Sequence, residues 1–238
     1  MSVTTRSVID FFRHRLPISL GRAGTHMPLH LPSHWNAVYK DFSPGDGHEW
    51  GGMIAADVAS ELEKVLKKGP TCVIGAGASG LGMAMLEAGF EPLVEADFSE
   101  AIVSSREGRK GAPYLLADAT DPEDMAACRD ALGGAVENFV DKGLIDGLYL
   151  AKQSHVIPSI LEACHPVLNP GGRLLFLSYT HARYMEPELS LEGESGKWEF
   201  DSGTALGGEV YWHSLLKVTG LEGNGGRRRR PGKFAPKR

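Results

Sequence analysis

The sequence predicts an α/β fold: a doubly wound, mostly parallel sheet with helices on both faces, ending in an antiparallel hairpin. Three observations carry this. A short apolar run, Cys72–Ile74, breaks into the glycine turn G-A-G-A-S-G (Gly75 to Gly80), and a helical pattern follows at once. Strand-like and helix-like segments then alternate four times before two late strands separated only by loop. Acids recur just past the carboxyl ends of successive apolar runs, at Asp97, Asp118 and Asp141. That edge of an open parallel sheet is where ligands bind.

In chain order, residues 23–34 contain Pro28 and Pro32 and read as irregular. His26, His30 and His34 are spaced four apart, but the prolines argue against the helix that would align them as metal ligands. His34 to Phe42 puts Trp35 and Tyr39 on one helical face. Ala55 to Lys67 carries Val58, Leu62, Val65 and Leu66 on one face and predicts a helix that Pro70 ends. The first strand and the helix from Leu81 to Ala88 flank the glycine turn, and the second strand runs from Pro92 to Asp97. Ser99 is positioned to cap the next helix. Tyr114–Ala117 predicts a third strand, Pro122–Leu132 a helix, and Asn138–Val140 a fourth strand ended by Asp141. Gly147 to Val167 contains a helix stopped by Asn169-Pro170-Gly171-Gly172. Arg173–Tyr179 is a fully buried fifth strand, and Trp198–Phe200 with Glu209–Val218 forms the hairpin.

Composition sets limits. The chain has 238 residues, 42% hydrophobic, enough for one large core. No apolar run approaches the ~18 residues of a membrane span, so no membrane partner is expected. Cys72, Cys128 and Cys164 are scattered without a C-x-x-C pair. They read as small buried apolar residues of a reducing compartment rather than disulfides or zinc ligands. Residues 221–238 hold seven basic residues against one acid, so the net charge of −5 divides into about +6 there and about −11 elsewhere. The acidic body makes nucleic acid an unexpected partner. The tail reads as disordered, either solvated or an arm for an acidic partner. Val3 to Leu16 is Ser/Thr/Arg-bearing, weakly amphipathic and acid-poor, which fits either a mitochondrial presequence or an N-terminal helix lying on the body. The compartment expected is therefore the cytoplasm or the mitochondrial matrix. Residues 1–33 read as an extension, 34–220 as the domain and 221–238 as the tail.

A glycine turn at the start of a helix leaves bare backbone for a ligand, and Asp97, seventeen residues after Gly80, can accept two hydrogen bonds from a ribose diol. An adenosine-containing cofactor is expected. A nicotinamide dehydrogenase would use the same parts, but the residues after 141 do not repeat the first half.

Over residues 34–218 the chain resembles the class I, seven-strand, Rossmann-like S-adenosylmethionine-dependent methyltransferases. The carriers are the glycine loop, E-A-D-F-S-E (Glu95 to Glu100), L-L-A-D-A-T (Leu115 to Thr120) and L-N-P-G-G-R-L-L-F-L (Leu168 to Leu177). V-D-K-G-L-I-D-G-L (Val140 to Leu148) is similar to the D/E-K-G-T-x-D-A-L signature of the eukaryotic lysine methyltransferases that act on elongation factor 1A and on citrate synthase. His34–Tyr39 resembles their Y-W-x-x-R-Y segment, and Ser178–Arg183 their S-Y-G-x-P-x-x-R segment. There are departures. An acid often stands two residues before the first glycine, where Val73 is found, and Leu144, Gly147 and Val38 replace Thr, Ala and Arg. Methionine-end binding must therefore come from elsewhere.

The resemblance implies S-adenosylmethionine as cofactor, with S-adenosylhomocysteine as product, and a protein substrate presenting a target lysine. Gly75, Ala76, Gly77 and Ser79 would line the methionine and ribose side. Asp97 would take the ribose hydroxyls, Phe98 would pack on the adenine, and Asp118 with Ala119 would meet its edge. Trp35 and Tyr39 would close over the cofactor. Asp141 would sit at the transferred methyl and orient the incoming ammonium, while Tyr179 would shield the channel. Each residue has a plainer reading: Ser79 as a helix cap, Phe98 as core, Trp35 and Tyr39 as packing, Asp141 and Lys142 as structural ion-pair members. No signal excludes a small-molecule methyltransferase of the same fold or a non-catalytic binding protein that kept it, although no long capping insertion follows the fifth strand.

Overall fold

The computed structural model describes residues 28–42, 48–189, 191–208 and 210–218. The Val3–Leu16 segment, His26 and the 221–238 tail lie outside the described residues. Five parallel strands, β1 (Thr71–Ile74), β2 (Leu93–Asp97), β3 (Tyr114–Leu116), β4 (Asn138–Asp141) and β5 (Arg173–Ser178), stand in the order β3-β2-β1-β4-β5. Their continuous apolar runs suit strands covered on both faces. The sheet continues antiparallel through β8 (Val210–Val218), β7 (Gly196–Ala205) and a two-residue edge strand β6 (Glu192–Gly193).

The hairpin is longer than its apolar pattern suggests. β7 pairs with β8 from Lys197–Val218 to Ala205–Val210, yet only Trp198 and Phe200 in that strand read as strand-forming. The rest is held through backbone pairing that leaves no hydrophobic signature. The eighth strand, β6, is equally polar.

Among the described residues the α-helices are α1 (Pro32–Tyr39), α2 (Ala55–Leu62), α3 (Leu81–Glu87), α4 (Glu100–Arg106), α5 (Pro122–Ala131), α6 (Leu144–Leu150), α7 (Ile157–Val167) and α8 (Ala182–Met185). Where the sequence suggested one helix before the fifth strand there are two, α6 and α7. The chain turns at Lys152, whose φ is +59°, and Pro158 enters the first turn of α7, where its missing N–H leaves no gap.

Alternation along the strands feeds two cores. Cys72, Ile74, Phe139 and Phe176 pack against Met125 and Cys128 of α5 and Ile160 and Cys164 of α7. Val73, Val140 and Leu175 face Val58 and Leu62 of α2 and Leu81 and Met85 of α3. All three cysteines are buried free thiols, as their scatter suggested. Phe139 of β4 is fully buried between the two helices and the sheet. Phe139→Ala is expected to cost about 3–5 kcal/mol through lost burial and a cavity, read as a lowered denaturant midpoint with the slope unchanged.

Candidate functional site

Register decides the layout of the carboxyl edge. Ile74 pairs with Ala96 on one side and with Asp141 on the other, so Asp97 stands level with Gly75 while Asp141 stands one residue deeper. Asp97 itself pairs with Leu116, which leaves Asp118 two residues beyond the strands. The three acids that look equivalent in the sequence therefore stand at three heights. Side-chain alternation separates them further: Asp141 shares its face with Phe139, whereas Asp97 shares the parity of Leu93 on the opposite face.

Above this edge lies a cavity of about 390 Å³. It falls within the size of small-ligand sites, ~300–1,000 Å³. Gly75, Ala76, Gly77 and Ser79 line it, with Asp97, Phe98, Asp118 and Ala119 on one side and Trp35 and Tyr39 from α1 on another. The structure thus brings together ten of the sequence-selected residues. Gly75 and Gly77 have φ of +57° and +53°. A Cβ on Gly75 would stand 2.8 Å from Cβ of Leu144, and one on Gly77 would stand 2.6 Å from the Tyr39 hydroxyl. At these two positions the loop has neither the conformation nor the room for a side chain.

Asp97 accepts hydrogen bonds from the amides of Gly77 and Ser99, each at 2.9 Å. A carboxylate has about four acceptor sites, so capacity remains for a diol. Burial pushes its carboxyl up to about 6, against the pull of those amide bonds. Asp118 accepts from the amide and hydroxyl of Thr120 at 2.9 and 2.8 Å, fixing the turn after β3. Ser79 lines the cavity, and its Oγ accepts from the Leu81 amide at 3.0 Å at the start of α3.

Trp35 and Tyr39 stack with ring centres 5.6 Å apart and an interplanar angle of 22°. Their helix is held by a contact the sequence did not announce. Asn36 Oδ1 accepts from the Ser99 hydroxyl at 2.8 Å and from the Ala101 amide at 3.2 Å. Ser99 does not cap α4 with its own side chain; Asn36, from a helix 63 residues earlier, serves the orphan amide.

Two of the residues selected from the sequence stand apart from the cavity wall. Asp141 does not line the cavity. It is fully buried, and its two oxygens accept from the amides of Leu144 and Ile145 at 2.7 and 2.8 Å, so it caps α6. Burial, opposed by those bonds, raises its carboxyl to about 7. Tyr179 also lies outside the cavity wall; its hydroxyl donates to the Gly51 carbonyl at 2.7 Å.

The cavity is also lined by Lys142, Gly143 and Leu144, together with His48 and Trp50 of a segment that the motif reading passed over. His48 donates its amide to Ala78 O at 3.1 Å. Glu49 accepts from Ser79 Oγ at 2.9 Å and the Gly80 amide at 3.0 Å, and ion-pairs with Lys142. The Trp50 indole donates to Asp146 at 3.0 Å, and the same buried carboxylate accepts from the Ser178 hydroxyl. Trp50 also crowds two glycines: a Cβ on Gly147 would stand 3.3 Å from its ring, and one on Gly143 2.5 Å. Polar residues in a glycine-rich stretch carried no periodic signal; only Glu49, Trp50 and the paired glycines were there to be noticed.

No model of a protein family and no curated protein sequence matches this chain. Solved structures do match it. A protein studied for the conversion of a disulfide bond into a thioacetal group during echinomycin biosynthesis superposes with a TM-score of 0.57 at 16% identity, covering 79% of this chain and 93% of its own. An S-adenosylmethionine-dependent methyltransferase from Anabaena variabilis gives 0.53 at 14% identity, with coverage of 79% and 93%. Phosphoethanolamine N-methyltransferase 1 of Haemonchus contortus, solved with phosphoethanolamine and S-adenosylhomocysteine, gives 0.52 at 14%, covering 94% of this chain and 52% of its own. At these identities the likeness is one of fold. The chain has the Rossmann-like fold found in class I S-adenosylmethionine-dependent methyltransferases, with β6 added at the hairpin edge.

Gly77→Ala is expected to displace Tyr39 and strain the loop by about 1–2 kcal/mol. The check is a lower melting temperature together with faster amide exchange in α1.

Proposed function

We propose that this chain binds S-adenosylmethionine in the carboxyl-edge cavity and transfers its methyl group to the lysine side chain of a protein. The observation that carries the reading is the convergence of a loop left bare at Gly75 and Gly77, Asp97 and Phe98 on one cavity. The residues fit the cofactor. Asp97 offers a buried carboxylate to a diol, Phe98 an aromatic ring to a base, and Gly75–Gly77 bare backbone to the chain between them. When bound, S-adenosylmethionine supplies an electrophilic methyl group on a sulfonium. The protein's part is positioning, which supplies most of the acceleration of an in-line displacement.

The lysine assignment rests on the likeness of Val140–Leu148 to the lysine methyltransferase signature. In this fold Asp141 of that signature caps α6, and so sets the backbone of Lys142 and Leu144 in the cavity wall. Trp50 and Tyr179 buttress the adjoining rim at residues 48–53.

Calorimetric titration of the purified chain tests the cofactor. S-adenosylmethionine is expected to bind and NAD not to, and Asp97→Ala is expected to weaken binding about tenfold or more. The affinity should rise as pH rises through about 6, because the acceptor is the ionised form of Asp97 and its folded carboxyl titrates there. A chain that binds NAD but not S-adenosylmethionine would sink the proposal. For the acceptor, radiolabelled methyl transfer into folded proteins of a cell extract should yield methyl-lysine on hydrolysis and none from free lysine. Label recovered only in small metabolites would replace the lysine reading by a small-molecule one.

A further inference from the structure

We infer that Lys142 receives the α-carboxylate at the amino-acid end of the cofactor and that Glu49 is the residue that positions it, an assignment that rests on the S-adenosylmethionine reading above. The amino-acid end is a zwitterion and needs charged partners. The strand that leads into the glycine loop brings none: Val73, two residues before Gly75, is buried among the apolar residues of α2 and α3. Among the described residues of the cavity wall, Lys142 is the one lysine, and no arginine is present. Its side chain is 2% exposed. It stands directly after β4, beside the strand that carries the loop.

The ammonium has three N–H donors. One goes to Glu49, and a second to the Met53 carbonyl at 3.1 Å. The third is left for a ligand in the cavity that the residue lines. Glu49 stands behind this wall rather than in it. Through its bonds to Ser79 and Gly80 it ties the ammonium to the glycine loop, so cation and loop are set as one unit. It also keeps the cation charged. Burial draws the Lys142 ammonium down to about 7, and an adjacent carboxylate favours the charged form. A pair that served only to brace residues 48–53 against β4 would have no bearing on which ligand is preferred. Buried pairs contribute little net stability on their own account.

The test is calorimetric titration of the full chain with S-adenosylmethionine and with 5′-methylthioadenosine, which keeps the adenosine and the sulfur but lacks the amino-acid end. The wild type should prefer S-adenosylmethionine. Lys142→Met should lose about tenfold or more in affinity for it while binding 5′-methylthioadenosine as before. Glu49→Gln should lose affinity for S-adenosylmethionine at a lower pH than the wild type does, because its lysine lacks the carboxylate that favours the charged form. A wild-type ligand preference in Lys142→Met overturns the inference and leaves the methyltransferase reading intact. So does wild-type binding of 5′-methylthioadenosine as tight as that of S-adenosylmethionine. Should Lys142→Met fail to fold, a wild-type pH profile in Glu49→Gln overturns it instead. Binding of neither ligand by folded wild type fails the parent reading and this inference together.

Discussion

The clearance around the glycine loop is the constraint on which the rest of the edge depends. Tyr39 and Leu144 occupy the volumes that side chains at Gly77 and Gly75 would need. The loop is therefore closed from both sides by residues of distant segments, and its backbone faces the cavity bare. Tyr114 closes it from below, its hydroxyl donating to the Gly77 carbonyl at 2.6 Å. The Gly77 amide goes to Asp97. Helix α1, the first strand's turn, β2 and β3 thus share one small volume, and each is placed by the others.

The same edge concentrates buried ionisable groups. Burial raises the carboxyls of Glu95, Asp97 and Asp141 to about 7, 6 and 7. A folded value above the unfolded one means that the stability each contributes is present at acid pH and is lost as pH rises through those values. Ionising these side chains thus costs stability, a cost met by the apolar cores beneath. Amides oppose that cost at Asp97 and Asp141, and the Arg106 and Arg109 guanidiniums oppose it at Glu95. Lys142 is the mirror case, a cation pulled down by the same desolvation and set against Glu49. Charges kept where water is scarce are strongly felt by any ligand that enters.

Much of this architecture was legible in the residues. Cys72–Ile74, Leu93–Asp97 and Leu174–Ser178 are apolar runs bounded by turn formers, and they became the buried strands. The helix faces at Val58 and Leu62 and at Ile160 and Cys164 are buried as their spacing required. What escaped was polar and non-local. Residues 48–53 have no periodicity, and the extended reach of β7 follows from pairing with β8 rather than from its own composition. The helix boundary between α6 and α7 was hidden because Leu144–Leu150 and Ile157–Val167 are both apolar on one side.

The sequence by itself determined the strand–helix alternation, the glycine turn and the placing of acids at strand ends, because these follow from local conformational preference and from the period of apolar residues. Tertiary structure alone decided what each acid does. A one-residue difference in register, joined to the alternation of side chains across a sheet, put Asp97 into the cavity wall and Asp141 under a helix. It also decided that Glu49 and Lys142, 93 residues apart along the chain, pair beside the glycine loop. Register and long-range pairing are settled by how whole faces pack, and no window of sequence contains that information.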